Sequence, residues 1–472
     1  MAQRLLRTFV LGMLTFALLF GGGPAATGAV HADPHASSVA RRESSLSQPN
    51  EQFELRSTIA FASSRDNPTG AGLPWPTLRE RGKSAGEIYL MLMNPDGTPV
   101  QGSQENPNPR RVTNNVNYDA FPDLSPDGKK IVFDSNLLGA VDAPTPEPTC
   151  VPACTNVDNV DLFVMNADGS DQQHLTRGGS STWDPRGKYV AYHASQSGTR
   201  GPFKTSLSAA TADSDIFVVN VDDCRQAIEQ SLPPVDDCRK IPGPHVKNIT
   251  NSVGFVDDDP DWSRDGTKIV YTRHPVSENA EDNVVAPLAE IWVMRVNPDG
   301  TPVPSTTDDT NPKQLTFTAG ITEGISKDRC PAGSTAPCPA EERIPTWSAD
   351  GTRIAFARRT GSGVNGLSTW VMNADGTNPV QLRFNDLLDG PGSWSPDGTR
   401  IVFFEGATTG STQLWSMNAN GTDAKQLTFP LPPPSPPGAN ATPNWGLLRV
   451  KVQAPAVTQP AGAPAALPVP KR

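Results

Sequence analysis

The sequence predicts an all-β fold: a six-bladed β-propeller with four antiparallel strands per blade, closed by a C-terminal strand that joins the N-terminal blade. Three observations predict it. Four short strand patterns recur in a fixed order, two kinds of glycine turn recur between them, and the incomplete first unit finds its missing strand at the far end of the chain. Composition agrees, with 48 Pro and 40 Gly among 472 residues and few stretches of helical periodicity.

The first strand ends in an aromatic and a tight turn, as in Pro260-Asp261-Trp262-Ser263-Arg264-Asp265-Gly266, Pro345-Thr346-Trp347-Ser348-Ala349-Asp350-Gly351 and Trp394-Ser395-Pro396-Asp397-Gly398. Leu124 and Trp183 hold the same place in two variants. Pro and Asp favour a type I turn, and Gly supplies the positive φ that follows it. An alternating second strand comes next, as in Lys130-Ile131-Val132-Phe133 and Arg400-Ile401-Val402-Phe403. The third strand, such as Asp161-Leu162-Phe163-Val164-Met165-Asn166, runs into an Asp-Gly or Asn-Gly turn, and the fourth is as short as His174-Leu175-Thr176. The N-terminal unit has a second strand at Thr58-Ile59-Ala60-Phe61 but no first. Pro443-Asn444-Trp445-Gly446 supplies it, and closure of that kind removes exposed sheet edges.

The residues Trp-Ser-Pro-Asp-Gly, then Ile401-Val402-Phe403, then Trp-Ser-Met-Asn, resemble the TolB-like propeller repeat from about Arg56 to Val450. They are also similar to the propeller of prolyl oligopeptidase-type peptidases, which carry a separate hydrolase domain that has no room here. TolB itself has an α/β domain ahead of its propeller, and no such domain is expected in this sequence. The expected organisation is a signal peptide over 1–32, a disordered linker over 33–55, the propeller over 56–450 and a disordered Pro/Ala-rich tail over 451–472. The signal peptide rests on Arg4 and Arg7, the apolar run 9–20 and the cleavage site Val30-His31-Ala32. That run is short for a membrane anchor, the alternative reading. The mature chain is therefore expected to be secreted or periplasmic, with no membrane span, and monomeric.

A net charge of −10 argues against nucleic acid, whose phosphates call for clustered Lys and Arg. The six cysteines form three close pairs: Cys150 with Cys154, Cys224 with Cys238, and Cys330 with Cys338. Disulfides suit an exported protein, and zinc is the alternative. Turns between strands one and two, and three and four, share one face. The long segments 136–159, 196–214, 274–289, 317–343 and 359–368 fall on the opposite face, and 222–246 on the first. Long loops on one face of a rigid scaffold are a usual place for recognition.

Aligning the units on the first-strand aromatic places Asp119, Asp257, Glu342 and Asp389 five residues before it, with Gly178 and Asn440 in the other two. First strands line the channel, so these residues are expected at its mouth, with Asp258, Asp259 and Glu341 adding charge. Two readings stay open. The carboxylates bind a hard cation, Ca²⁺ above all, or a ligand, or else they bond to backbone N–H groups and fix the turn between blades.

Catalytic patterns are poor. Gly82-Lys83-Ser84-Ala85-Gly86 mimics a nucleophile elbow but lies before a strand, where the motif needs one behind it. His174, His193, His245 and His274 occupy four different kinds of position, and only His193 and His274 stand near each other on the decorated face. The expected role is a non-enzymatic module binding a protein or a cell-envelope glycan through the loop-rich face and acidic mouth. The competing reading is a cation-dependent polysaccharide lyase or glycoside hydrolase. TolB-like propellers resemble some oligogalacturonate lyases, which use a histidine-rich metal site that this sequence does not assemble.

Overall fold

A computed structural model describes residues 52–64, 86–104, 106–115, 119–135, 161–195, 214–232, 237–275, 289–317, 342–359, 367–383, 387–407, 411–430 and 440–452. The expected signal peptide, Glu341, most of the expected linker and tail and most of the long segments on the second face lie outside these residues; strands reach back to Gln52 and on to Val452, into segments expected to be disordered. Two of the three expected disulfides, that of Cys150 with Cys154 and that of Cys330 with Cys338, also lie outside the described residues.

The first sheet contains β1 (Gln52–Ser63), β2 (Glu87–Leu92) and β3 (Arg110–Arg111). It is completed on its inner side by β24 (Asn440–Val452), giving the order β24-β1-β2-β3. The second runs β4 (Asp119–Leu124), β5 (Lys130–Ser135), β6 (Asp161–Asn166), β7 (Gln173–Arg177). Next come β8 (Gly179–Trp183), β9 (Tyr189–Ser195), β10 (Ser214–Asn220) and β11 (Val246–Asn248), then β12 (Phe255–Trp262), β13 (Lys268–Pro275), β14 (Glu290–Arg295) and β15 (Lys313–Gln314). These eight strands form one sheet, because Ser214 of β10 and Val256 of β12 make a single parallel pairing. Two four-stranded sheets follow: β16 (Glu342–Trp347) to β17 (Arg353–Arg359), β18 (Leu367–Asn373) and β19 (Val380–Gln381), and β20 (Leu388–Trp394) to β21 (Arg400–Ala407), β22 (Ser411–Asn418) and β23 (Lys425–Gln426). The chain is thus a β-propeller of four four-stranded sheets and one eight-stranded sheet, where six separate sheets were expected.

The second-strand motif shows why both faces of each sheet are apolar. Side chains alternate faces along a strand. In β5, Ile131 and Phe133 pack against the first sheet, while Val132 points to the cluster shared with β8 and β9. In β21, Ile401 and Phe403 pack against β17 and β18, and Val402 reaches Ile59, Phe61 and Trp445. A one-residue slip would exchange these sets, so the pattern fixes register. The first-strand aromatics Trp183, Trp262, Trp347, Trp394 and Trp445 are each about 5% exposed.

The described parts of the insertion over 222–246, expected to decorate the first face, form a strap against the outer strand of the second sheet. Helix α1 (Val221–Gln230) starts at Asn220, whose side chain accepts the Asp223 N–H. It then lies along β7, the outermost strand of the second sheet, where Cys224 Sγ lies 3.4 Å from Leu175 O and Arg225 Nε bonds to Gln173. Covering an edge in this way removes a site for stray pairing. Cys224 and Cys238, joined as expected, are fully buried beside Leu175 and Val219. The cross-link spans 14 residues, which corresponds to about 3 kcal/mol of chain entropy. The double change Cys224→Ser and Cys238→Ser, or reductant, should lower the unfolding free energy of the chain by about that amount in denaturant titrations.

Two other insertions went unrecognised in the sequence. Residues 93–109 and 296–312 follow the third strands of their sheets, and each is pinned by an asparagine. Asn108 accepts from Leu92 N and donates to Val100 O, while Asn311 accepts from Arg295 N and donates to Val303 O. Each is followed by a cis proline. The shared pattern Asn-Pro-Asp-Gly-Thr-Pro-Val, then Asn-Pro after a gap, was the available signal.

Candidate functional site

The innermost strands all carry a bulge. The register of each against its second strand shifts between Ala120 and Asp123, Gly179 and Thr182, Asp258 and Asp261, Arg343 and Thr346, and Pro391 and Ser393, and β1 shifts against β24 between Ala60 and Ala62. Phe121, Ser180, Asp259, Ile344 and Thr442, each three residues before the aromatic or its equivalent, take positive φ, from 47° at Thr442 to 55° at Ile344. That conformation is costly for bulky and β-branched side chains. Prolines 122, 260, 345, 391 and 443 sit in or beside these bulges, where a ladder N–H is dispensable.

The bulge separates two polar levels. On the far side from the aromatic stand five of the expected site residues, all buried: Asp119, Asp257, Glu342 and Asp389 at 0% exposure and Asn440 at 1%. Each is bound to its neighbours. Asp119 accepts from Ser135 Oγ (2.6 Å) and Asn115 Nδ2 (2.8 Å). Asp257 holds Arg273 through both oxygens (2.6 and 2.8 Å) and accepts from Ser252 Oγ (2.9 Å). Glu342 accepts from Arg358 Nε (2.6 Å) and from its Nη2. Asp389 Oδ1 accepts from the N–H and the hydroxyl of Thr369 (2.6 and 2.8 Å), which belongs to the preceding sheet. Asn440 reaches Gln413 Oε1 (3.2 Å), also one sheet back. Among the described residues, no group of three or more His, Cys, Asp or Glu side chains could hold a metal ion. Asp119, Asp257 and Glu342 bond to donors around their own strands, and Asp389 links its strand to the preceding sheet.

Burial acts on these groups in the expected direction. Desolvation pushes Asp119 up to about 6, against the lowering pull of its Ser135, Asn115 and Thr113 hydrogen bonds. Asp389 is pushed up to about 7 by desolvation, and Glu405 across the strand pair adds repulsion to the opposing Thr369 bonds. Glu342 is also raised by burial, while Arg358 pulls the other way.

A second carboxylate level, one residue before the aromatic, was missed in the sequence. Asp123 Oδ2 accepts the N–H of Trp183 in the next unit (2.7 Å), and Asp261 Oδ2 that of Trp347 (2.6 Å). Ser393 Oγ accepts from Trp445 N (2.5 Å), and Trp183 and Trp394 return indole bonds to Asp123 O and Thr346 O (both 3.2 Å). Thr442 Oγ1 accepts from Phe121 N (3.1 Å). These clasps tie neighbouring inner strands together. Desolvation pushes Asp123 up to about 7 and Asp261 to about 6. Nothing in the sequence marks these aspartates apart from the turn residues around them, because their partners lie 60 and 86 positions away.

The unit with Gly178 lacks the first acidic level; there Asp134 of β5 accepts the Ser180 N–H (2.9 Å), while in the strap Asp237 accepts from Thr176 Oγ1 (2.9 Å) and pairs with Arg239 (3.1 Å). Among the described residues the histidines belong to no metal-holding group of three or more. His193 lies buried in β9, and His174 stacks edge-on against Phe163. His274 Nε2 stands 4.0 Å from Asp258, which also lies 3.9 Å from Arg343; this trio is half-buried at the loop-face end of β12. Of the elbow-like motif only Gly86 falls within the described residues.

Antiparallel four-stranded units closed on themselves by β24, with clasps between inner strands, define a β-propeller whose first strands are built for cohesion. Its repeat is TolB-like. No protein-family model matches the chain. The Tol-Pal system protein TolB of Zymomonas mobilis is 34% identical over 84 residues, 18% of this chain and 17% of that protein. TolB from Acinetobacter baumannii aligns in structure over 83% of this chain and 66% of its own, at 17% identity and a TM-score of 0.46. An oligogalacturonate lyase in complex with manganese aligns over 74% and 72%, at 14% identity and a TM-score of 0.36. The chain spans about a sixth of the curated relative it matches, and activity does not follow from likeness at this level. No helix of the described residues is long and apolar enough to cross a membrane.

Proposed function

We propose that the chain is an exported six-bladed recognition scaffold that binds a protein or a cell-envelope glycan through the face opposite its glycine turns. The count of six rests on dividing the eight-stranded sheet at its single parallel pairing, and six apolar clusters between successive four-strand units support it. The observation that carries the function is the distribution of chain length. Every first-to-second turn is five residues, for example 125–129 and 395–399, and the longer third-to-fourth segments 93–109, 221–245 and 296–312 on the same face are tied to the scaffold by Asn108, the Cys224–Cys238 disulfide and Asn311, whereas the long second-to-third connections 64–86, 136–160, 196–213 and 276–289 share the other face. The inner carboxylates Asp119, Asp257, Glu342 and Asp389 belong to the scaffold in this reading, and their burial and engagement by Ser135, Arg273, Arg358 and Thr369 support that part. A bound Ca²⁺ is not required.

Replacing the four long connections by five-residue turns should leave the thermal midpoint within a few degrees while abolishing binding to envelope glycans or envelope proteins. Retained binding would move recognition to the turn face. The lyase or hydrolase reading is favoured by one observation, the Asp258, His274 and Arg343 trio. Turnover of acidic oligosaccharides with added divalent cation, lost in His274→Ala, would establish it in place of the binding reading.

A further inference from the structure

At the loop-face end of β20 two acidic side chains oppose each other. Asp389 stands across from Glu405 of β21, and the rung continues to Gln413 of β22. Residues directly opposite on antiparallel strands have Cβ atoms about 5 Å apart, so their side chains can meet. The same position in other units is built differently. Asp257 faces Arg273, Glu342 faces Arg358 and Asp119 faces Ser135, and each of these partners donates to the carboxylate opposite it. Glu405, as a carboxylate, has nothing to donate.

The pair is buried and lacks one hydrogen. Asp389 is 0% exposed and Glu405 7%. Asp389 Oδ1 accepts from the N–H and the hydroxyl of Thr369 on β18, while Oδ2 has no partner among the described residues. Glu405 pairs with Arg383, two residues past β19. Arg383 lies over the Phe403 ring (5.3 Å), much as Arg273 and Arg358 lie over Tyr271 and Phe356 (5.4 and 5.2 Å). The charges at this level on β16 and β17, Glu342 and Arg358, are bound to each other, and Ser368 and Gln413 carry none. Two carboxylates and one guanidinium leave one negative charge in a site that excludes water, which is costly. A proton on Asp389 Oδ2, donated to Glu405, removes that charge and completes the bonding. Desolvation pushes Asp389 up to about 7, and Glu405 adds to the rise against the pull of Thr369 and Arg383.

We propose that Asp389 and Glu405 share one proton in the folded protein, and that this proton latches the loop-face end of β20 to β18 through Thr369, firm in mild acid and slack toward neutral pH. An opened junction returns Asp389 to the ordinary carboxylate value near 4. Between that value and about 7 the closed junction binds one proton more than the open one, so each pH unit weakens the latch about tenfold, and above 7 it weakens no further. The next junction carries a permanent version. Asn440 holds the position of Asp389, and its amide donates to Gln413 Oε1 (3.2 Å) without any titration.

Two measurements on the full chain test it. The infrared band of protonated carboxylic acids in mild acid should be weaker by one carboxyl in Asp389→Asn than in the parent. Hydrogen exchange reads the latch at the Thr369 amide, which donates to Asp389. Corrected for the intrinsic rate, its opening should rise about tenfold per pH unit between about pH 5 and 7 and level off above. Asp389→Asn keeps an acceptor for Thr369 and a donor toward Glu405, and should flatten that slope. Glu405→Arg copies the units with Arg273 and Arg358 and should flatten it too. An acid band unchanged in Asp389→Asn overturns the proposal. So does a flat Thr369 profile in the parent, or a slope that survives both substitutions.

Discussion

A chain ending at residue 439 should lose cooperative unfolding altogether, because β24 is the inner strand of the first sheet and the closure of the ring. Its removal takes Trp445 and Leu448 out of two apolar clusters and uncovers β1 along its whole length. It also breaks the Ser393–Trp445 and Thr442–Phe121 bonds to the neighbours on either side. Loss of Trp445 alone should cost about 3–5 kcal/mol, a large part of ordinary domain stability. A circular permutant that joins Val452 to Gln52 through a short turn, and opens the chain between β23 and β24, keeps every pairing and should unfold cooperatively. Scanning calorimetry distinguishes the two chains. A sharp transition in the truncated protein would mean that the first sheet holds with three strands.

The second large effect is on pH. Asp119 and Asp261 are pushed up to about 6, and Asp123 and Asp389 to about 7, chiefly by desolvation. A carboxyl with a raised folded pKa binds its proton more tightly in the native state. Its contribution is therefore complete below the unfolded value near 4 and is lost as pH rises through 6 to 7. The exposed turn aspartates act oppositely: Ser348 and Thr352 hold Asp350 down to about 2, so such groups lose their contribution only as pH falls below about 4. Stability should accordingly peak near pH 4 and decline up to about pH 7. Asp123→Asn keeps an acceptor for the Trp183 N–H but removes the titration. It should be more stable than the parent at pH 8, by about 4 kcal/mol, and near neutral at pH 4. Urea titrations at both pH values measure this. An unchanged pH slope would mean that Asp123 is ionised in the folded protein.

Much of the architecture was legible because it is local. The Lys-Ile-Val-Phe type of strand declares two buried faces by alternation, and a five-residue turn such as 395–399 is specified by its own Ser, Asp and Gly. Ser395 Oγ donates to Asp397 (2.6 Å), and Asp397 accepts from Thr399 N (3.0 Å). The contribution of Trp445 to the first sheet was legible too, since a unit lacking one strand has one place to find it. The site was less legible. Asp119, Asp257, Glu342 and Asp389 were correctly aligned by counting from the aromatic, but alignment does not say what a carboxylate touches. Asp123 and Asp261 looked like turn residues.

The sequence by itself determined strand order, register and closure, because each depends on side-chain alternation and turn chemistry within a few residues. Only the tertiary structure decided what the polar side chains do. The bulge that separates Asp257, bound to Arg273, from Asp261, bound to Trp347, and the strap that brings Asp237 to Thr176, depend on contacts made only when the strands pack. Burial there sets whether a carboxylate is a free ligand or part of the scaffold, and burial is a property of the packed sheets.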